Sequence, residues 1–131
     1  MEKQEIIDKY LANSVIIEQL KNENRELLKK EAPQYAPHKK GDVLEWEEGR
    51  STWRGKNYAE TRIQKRGVVT AIGVSINEYA NDPDERMQFD YIIHAFKKGT
   101  TNLSDVRSYP NMKKVKWTGE TVEVPEGIDK Y

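Results

Sequence analysis

At 131 residues the chain has room for one modest hydrophobic core and an appendage, which excludes a pair of full enzyme domains. Twenty-two Lys and Arg balance 22 Asp and Glu, so any attraction to nucleic acid or an anionic surface must be local rather than a property of the whole molecule. Cysteine is absent, excluding disulfides, thiolate nucleophiles and Cys-ligated zinc; 34% charged against 36% hydrophobic residues indicates a high surface-to-volume shape.

The first segment, residues 1–31, predicts a single long amphipathic helix. Residues 2–31 contain neither Gly nor Pro, are rich in Glu, Lys, Leu and Ile, and end at Ala32-Pro33, where the proline ring disfavours helix in the residue before it. With Tyr10, Ile17 and Asn24 as a positions, Ile6, Asn13, Leu20 and Leu27 are d positions of a coiled-coil-like seam. The run from Gln19 to Leu28 resembles a leucine zipper, with a polar Asn between two d leucines. The e and g positions include Ile7, Ile16 and Leu28, making the face wider than a two-stranded seam. A trimer, a larger bundle or packing back onto the chain's own second domain therefore competes with a dimer. The N-terminal residues are polar and lead into no uninterrupted apolar stretch of signal or membrane-span length, so cytoplasm is the expected compartment and no membrane partner is expected.

Residues 32–41, with Pro33 and Pro37, read as a stiff, extended linker. From residue 42 to 131 the pattern becomes β-rich. Asp42–Glu47 predicts a first strand, Glu48–Asn57 a polar excursion, and Tyr58–Ile76 a second strand with Gly67 and Gly73 as bulge or bend points. Asn81-Asp82-Pro83-Asp84 is a turn signal leading to a strand at Met87–Phe96, where Met87, Phe89, Tyr91, Ile93 and Ala95 share one face. Lys98-Gly99-Thr100 reads as a further turn, and Thr118-Gly119 as the turn of a final hairpin between 113–117 and 121–124.

The expected fold class is thus α+β, a long helix followed by a small antiparallel β-barrel or roll. Gly41-Asp42-Val43 opening one strand, and Lys65-Arg66-Gly67-Val68-Val69-Thr70-Ala71-Ile72 in the next, resemble the opening strands of SH3-like barrels of the KOW type found in ribosomal and transcription proteins. The arrangement is also similar to small proteins of bacterial prophages and mobile elements. The likeness spans roughly residues 40–117, and the long loop and extra terminal hairpin depart from the compact form. It implies an interaction module, with nucleic-acid binding as one possibility for that class.

No catalytic signature is present. Gly49 to Asn57 has the outline of a P-loop, but five residues separate its glycines instead of four, Asn57 replaces the magnesium-binding hydroxyl, and a strand follows where a helix is needed. His38 and His94 form no short-spaced ligand pair, so no metal and no cofactor are expected; His94 reads as a sheet residue. The acidic run at Asp82, Asp84 and Glu85 lacks the pattern of a calcium loop. Two clusters combine cations with aromatic rings, the pairing that phosphates and bases require. One comprises Arg50, Trp53, Arg54, Lys56 and Tyr58, continuing to Arg62, Lys65 and Arg66; the other comprises Lys113, Lys114, Lys116 and Trp117. If the fold brings them together they make one patch; otherwise they are solvated surface. The residues point first to a non-enzymatic assembly or adaptor protein, its helix self-associating or docking and its β domain binding a protein partner, with no evident small-molecule substrate. Nucleic-acid binding through the basic-aromatic loops is the alternative.

Overall fold

A computed structural model describes residues 1–128; the last three residues of the expected β domain, 129–131, lie outside them. The chain divides into two compact units, one ending at Tyr35 and the other beginning at Ala36.

In the first unit, helix α1 runs from Lys3 to Glu31. Glu5 in its first turn and Lys29 and Lys30 in its last oppose the partial charges of the helix ends. The Ala32 N–H closes the C-terminus on the Leu28 carbonyl. Ala32–Tyr35 then winds into one 3-10 turn, where the prolines had predicted extended chain. Pro33 lacks an N–H, but the first positions of a short turn require none from it.

The second unit is an antiparallel sheet of five strands: β1 (Asp42–Arg54), β2 (Asn57–Ile76), β3 (Met87–Phe96), β4 (Leu103–Ser108) and β5 (Lys116–Thr121). A single turn of helix, α2 (Pro83–Arg86), precedes β3, with Asp82 Oδ1 accepting the Asp84 N–H at its start. The strand order is β4-β3-β2-β1-β5, so the last strand returns to lie beside the first. The expected architecture of a long helix followed by a small antiparallel sheet is therefore the observed one.

Four local expectations change. The excursion at Glu48–Asn57 is strand, because β1 continues to Arg54 and pairs without a break from Val43↔Val68 to Arg54↔Asn57. The hairpin closes over Gly55 and Lys56, with Gly55 at the positive φ of +61° that a two-residue hairpin turn requires. The expected terminal hairpin is instead a turn at Asn111–Lys114 followed by the single strand β5, whose partner is β1. Strand β4 had no sequence signal: its alternation is broken by Ser104, Asp105 and Arg107. Finally, the ladder between β2 and β3 shifts at Thr70, between Val69↔Ile93 and Ala71↔Ile92, and not at Gly67 or Gly73.

That shift organises the core. Val69 and Ile72 are three apart, yet both join Leu44, Trp46, Tyr91, Ile93 and Ala95 on one face, because the extra residue returns Ile72 to it. Met112 and Val115 cover the cluster from the segment before β5. On the other face Val43, Val68 and His94 are buried in register. Burial on both faces explains why residues 67–71 and 92–94 are apolar or buried without alternation. Gly67 is required by close approach: a Cβ there would lie 2.8 Å from both the Trp46 ring and the His94 carbonyl oxygen.

Candidate functional site

Each unit presents an unusual surface. No residue of α1 is buried. The seam residues Ile6, Tyr10, Ile17, Leu20 and Leu27 are all exposed, with Asn13 and Asn24 among them. A second stripe, Ile7, Leu11 and Val15, runs at four-residue spacing beside the first and is exposed as well. Two adjoining stripes suit a helix with neighbours on two sides.

In the β unit, β1 and β2 outrun their neighbours. Strand β5 pairs with β1 only between Asp42 and Glu45, and β3 pairs with β2 only from Gly67 onward. Beyond those points the two strands continue as a two-stranded arm, roughly 30 Å long at about 3.3 Å per residue. Strand alternation divides its side chains between two faces. Glu48, Arg50, Thr52 and Arg54 share a face with Trp46, and their partners Ile63, Thr61 and Ala59 lie on it too; Glu47, Ser51, Trp53 and Tyr58 lie on the other. Near the tip Trp53 and Tyr58 pack on each other with ring centroids 5.0 Å apart, and the Tyr58 hydroxyl lies 2.9 Å from Ser51 Oγ.

This division separates the first expected cluster. Arg50 and Arg54 project from the face opposite Trp53 and Tyr58, and Lys56 sits in the turn. Arg62 is on the aromatic face, but it pairs with Glu47 at 3.6 Å, and Glu60 lies between it and Tyr58. The second cluster lies elsewhere. Lys113 and Lys114 belong to the turn before β5, while Lys116 and Trp117 pair with Glu45 and Leu44 at the base of β1, some nine residues from Trp53. The indole of Trp117 donates to the Glu120 carbonyl at 3.0 Å. The two clusters do not meet.

What the fold assembles instead is a groove of about 1350 Å³ bounded by the arm, the β3–β4 loop and β4. Six cations line it: Arg50, Lys65 and Arg66 from β1 and β2, Lys97 and Lys98 from the loop, and Arg107 from β4. Glu48 is its one carboxylate among the described residues. Tyr109, 82% exposed, stands at the rim. Lys65 pairs with Glu48 at 2.9 Å and Arg66 with Glu120 at 3.3 Å; Arg50, Lys97 and Lys98 stand outside the three ion pairs of the described residues. Sequence reading found Arg50, Lys65 and Arg66 but not Lys97, Lys98 and Arg107. The Lys-Lys-Gly turn after a long strand was the available signal for two of them; Arg107 had none.

Among the described residues of the β unit few titratable groups are perturbed, and of these only Glu48 lines the groove. Glu48 is held below the usual carboxylate range, first by the indole N–H of Trp46 and then by the Lys65 ammonium. Tyr91 is pushed up, chiefly by burial and also by the Asp42 charge, while the His38 N–H opposes the shift. His94 is buried, and its Nδ1 lies 2.7 Å from the Ser104 carbonyl oxygen, where an N–H donates and ties β3 to β4. Among the described residues no group of three His, Asp or Glu side chains converges to hold a metal, and no helix is long and apolar enough to cross a membrane. No protein-family model, curated protein or solved structure matches the chain.

Proposed function

We propose that this is a non-enzymatic assembly or adaptor protein that associates with further copies of itself through α1 and carries a binding domain built on the β sheet. The single observation behind this reading is the exposure of nine large apolar side chains along one helix, the eight of the two adjoining stripes together with Ile16, on a chain whose β unit assembles a core from its own residues. Leaving these side chains in water is unfavourable by about 25 cal/mol for each Å² that a neighbouring helix would cover. Asn13 and Asn24 lie within the seam, where a buried amide is tolerated in the register that lets it find a partner amide, so they select one alignment of copies.

The test is light scattering on the full-length protein and on the variant Ile17→Glu with Leu20→Glu. The wild type is expected to be an oligomer of defined mass and the variant a monomer with its β-sheet spectrum unchanged. A monomeric wild type at tens of micromolar would remove the self-association reading.

A second reading, an SH3-like nucleic-acid-binding module, is supported by the six cations of the groove and by the return of β5 to β1 in a five-stranded sheet. It is weakened by the placement of Trp53 and Tyr58 on the arm face opposite Arg50.

A further inference from the structure

The arm creates an interaction surface that its side chains alone do not reveal. From Asn57 to Arg66, β2 pairs with β1 on one side only. Strand β3 begins its ladder at Gly67, and among the described residues 57–66 have no register partner other than β1. Alternate N–H and C=O groups on that side form an open strand edge. Its inner end, Ile63 to Arg66, lines the basic groove. An open edge and a high local positive charge therefore occupy the same place.

We infer that this groove binds an acidic, extended peptide segment of a protein partner, which adds as a further strand on the open edge of β2 between Thr61 and Arg66. The inference rests on the adaptor reading above and supplies the chemistry of the partner. Two features select this occupant. Main-chain pairing at an open edge requires an extended polypeptide, whose alternate side chains point to either face of the sheet. Arg50 and Lys65 lie on one face of the arm, Arg66 on the other, and Lys97, Lys98 and Arg107 across the groove, so an added strand carrying carboxylates meets cations whichever way they point. A second copy of the arm is disfavoured as occupant, because pairing two β2 edges would juxtapose like charges. Bases are served poorly, because the stacked pair Trp53 and Tyr58 faces away from Arg50, which leaves Phe96 and Tyr109 as the aromatic rings lining the groove among the described residues.

The experiment uses the full-length protein and a dye-labelled peptide of about eight residues alternating glutamate and threonine, long enough to span the open edge. Fluorescence anisotropy at low salt reads binding, and hydrogen exchange on the complex reads strand addition. Saturable binding is expected, with amides in 61–66 newly protected and affinity at least tenfold lower for Lys97→Glu with Lys98→Glu, two substitutions on an exposed turn. A peptide of equal charge with proline at alternate positions keeps the electrostatics and removes the donors, and its binding is expected to be lost. The inference is overturned by no binding of the alternating peptide, by equal binding of the proline peptide, by unchanged exchange at 61–66, or by an oligothymidylate of similar length displacing the peptide at lower concentration. Light scattering on the same samples separates the two readings: failure of the peptide with the oligomer intact removes only this inference.

Discussion

The indole N–H of Trp46 donates to Glu48 Oε1 at 3.0 Å, while Lys65 Nζ approaches Oε2 of the same carboxylate at 2.9 Å. Trp46 is buried in the core cluster, and Glu48 is two residues further along β1 on the same face. The pair thus fastens the arm to the core at the point where it leaves the sheet. An ion pair spans the two arm strands at the same level.

Because Glu48 titrates below its unfolded value, the stability it contributes is fully present above the ordinary carboxylate pKa of about 4.5 and is lost as pH falls through the lowered folded value. More than a third of the Glu48 and Lys65 side chains is exposed, so water screens the effect. Glu48→Gln is expected to cost about 1 kcal/mol at neutral pH and to flatten the acid limb of the stability profile. Urea denaturation between pH 2 and 7 checks this; an acid limb unchanged by the substitution would contradict it.

Gly67→Ala should destabilise by about 2 kcal/mol, because the new methyl group meets the His94 carbonyl and Ala95 Cα as well as the Trp46 ring, and backbone atoms cannot step aside. Gly55→Ala meets no neighbour within 4 Å and suffers only from its positive φ, a cost of about 1 kcal/mol. The order of the two midpoints in urea is the readout.

Trp53→Ala removes one ring of the cross-strand pair near the tip. A cost of about 0.5–1 kcal/mol is expected, confined to the arm because a two-stranded ribbon exposed on both faces opens locally. Hydrogen exchange should quicken at 50–61 and stay unchanged at 67–71 and 92–94. Faster exchange in the core would show that the arm and the sheet unfold together.

His94→Leu leaves the Ser104 carbonyl without its 2.7 Å donor, on a side chain that is itself only 1% exposed. A loss of about 1–3 kcal/mol follows, with the β3–β4 contact the first to loosen. His94→Asn, whose amide retains a donor, should lose less. Thermal melts of the two variants rank them.

Asn24→Val places a branched apolar side chain at an a position. If copies pack along the seam, the helical assembly should melt at higher temperature and light scattering should broaden as the register loosens. An unchanged melting profile would place Asn24 outside any interface.

The chain's own residues determine the long helix without reference to anything distant: thirty consecutive positions free of Gly and Pro, then Pro33, are local instructions, and local propensity suffices to read them. Strand β3 is equally legible between Met87 and Tyr91, where one face is covered and the other wet, so that alternation is written into the residues. The arm escapes such reading because both its faces are exposed; no apolar rhythm is imposed, and the one local signal is the turn at Gly55-Lys56. The site lies further still from local reading. Arg50, Lys65, Lys97 and Arg107 are scattered over nearly sixty positions, and they meet only because β2 outruns β3 and the β3–β4 loop turns back beside the arm. Neighbours in sequence suffer the opposite fate: Trp53 and Arg54 look like one cluster, but a strand sends successive side chains to opposite faces. Residue type, periodicity and breaking residues set the elements, whereas strand length, register and face decide which charges share a surface.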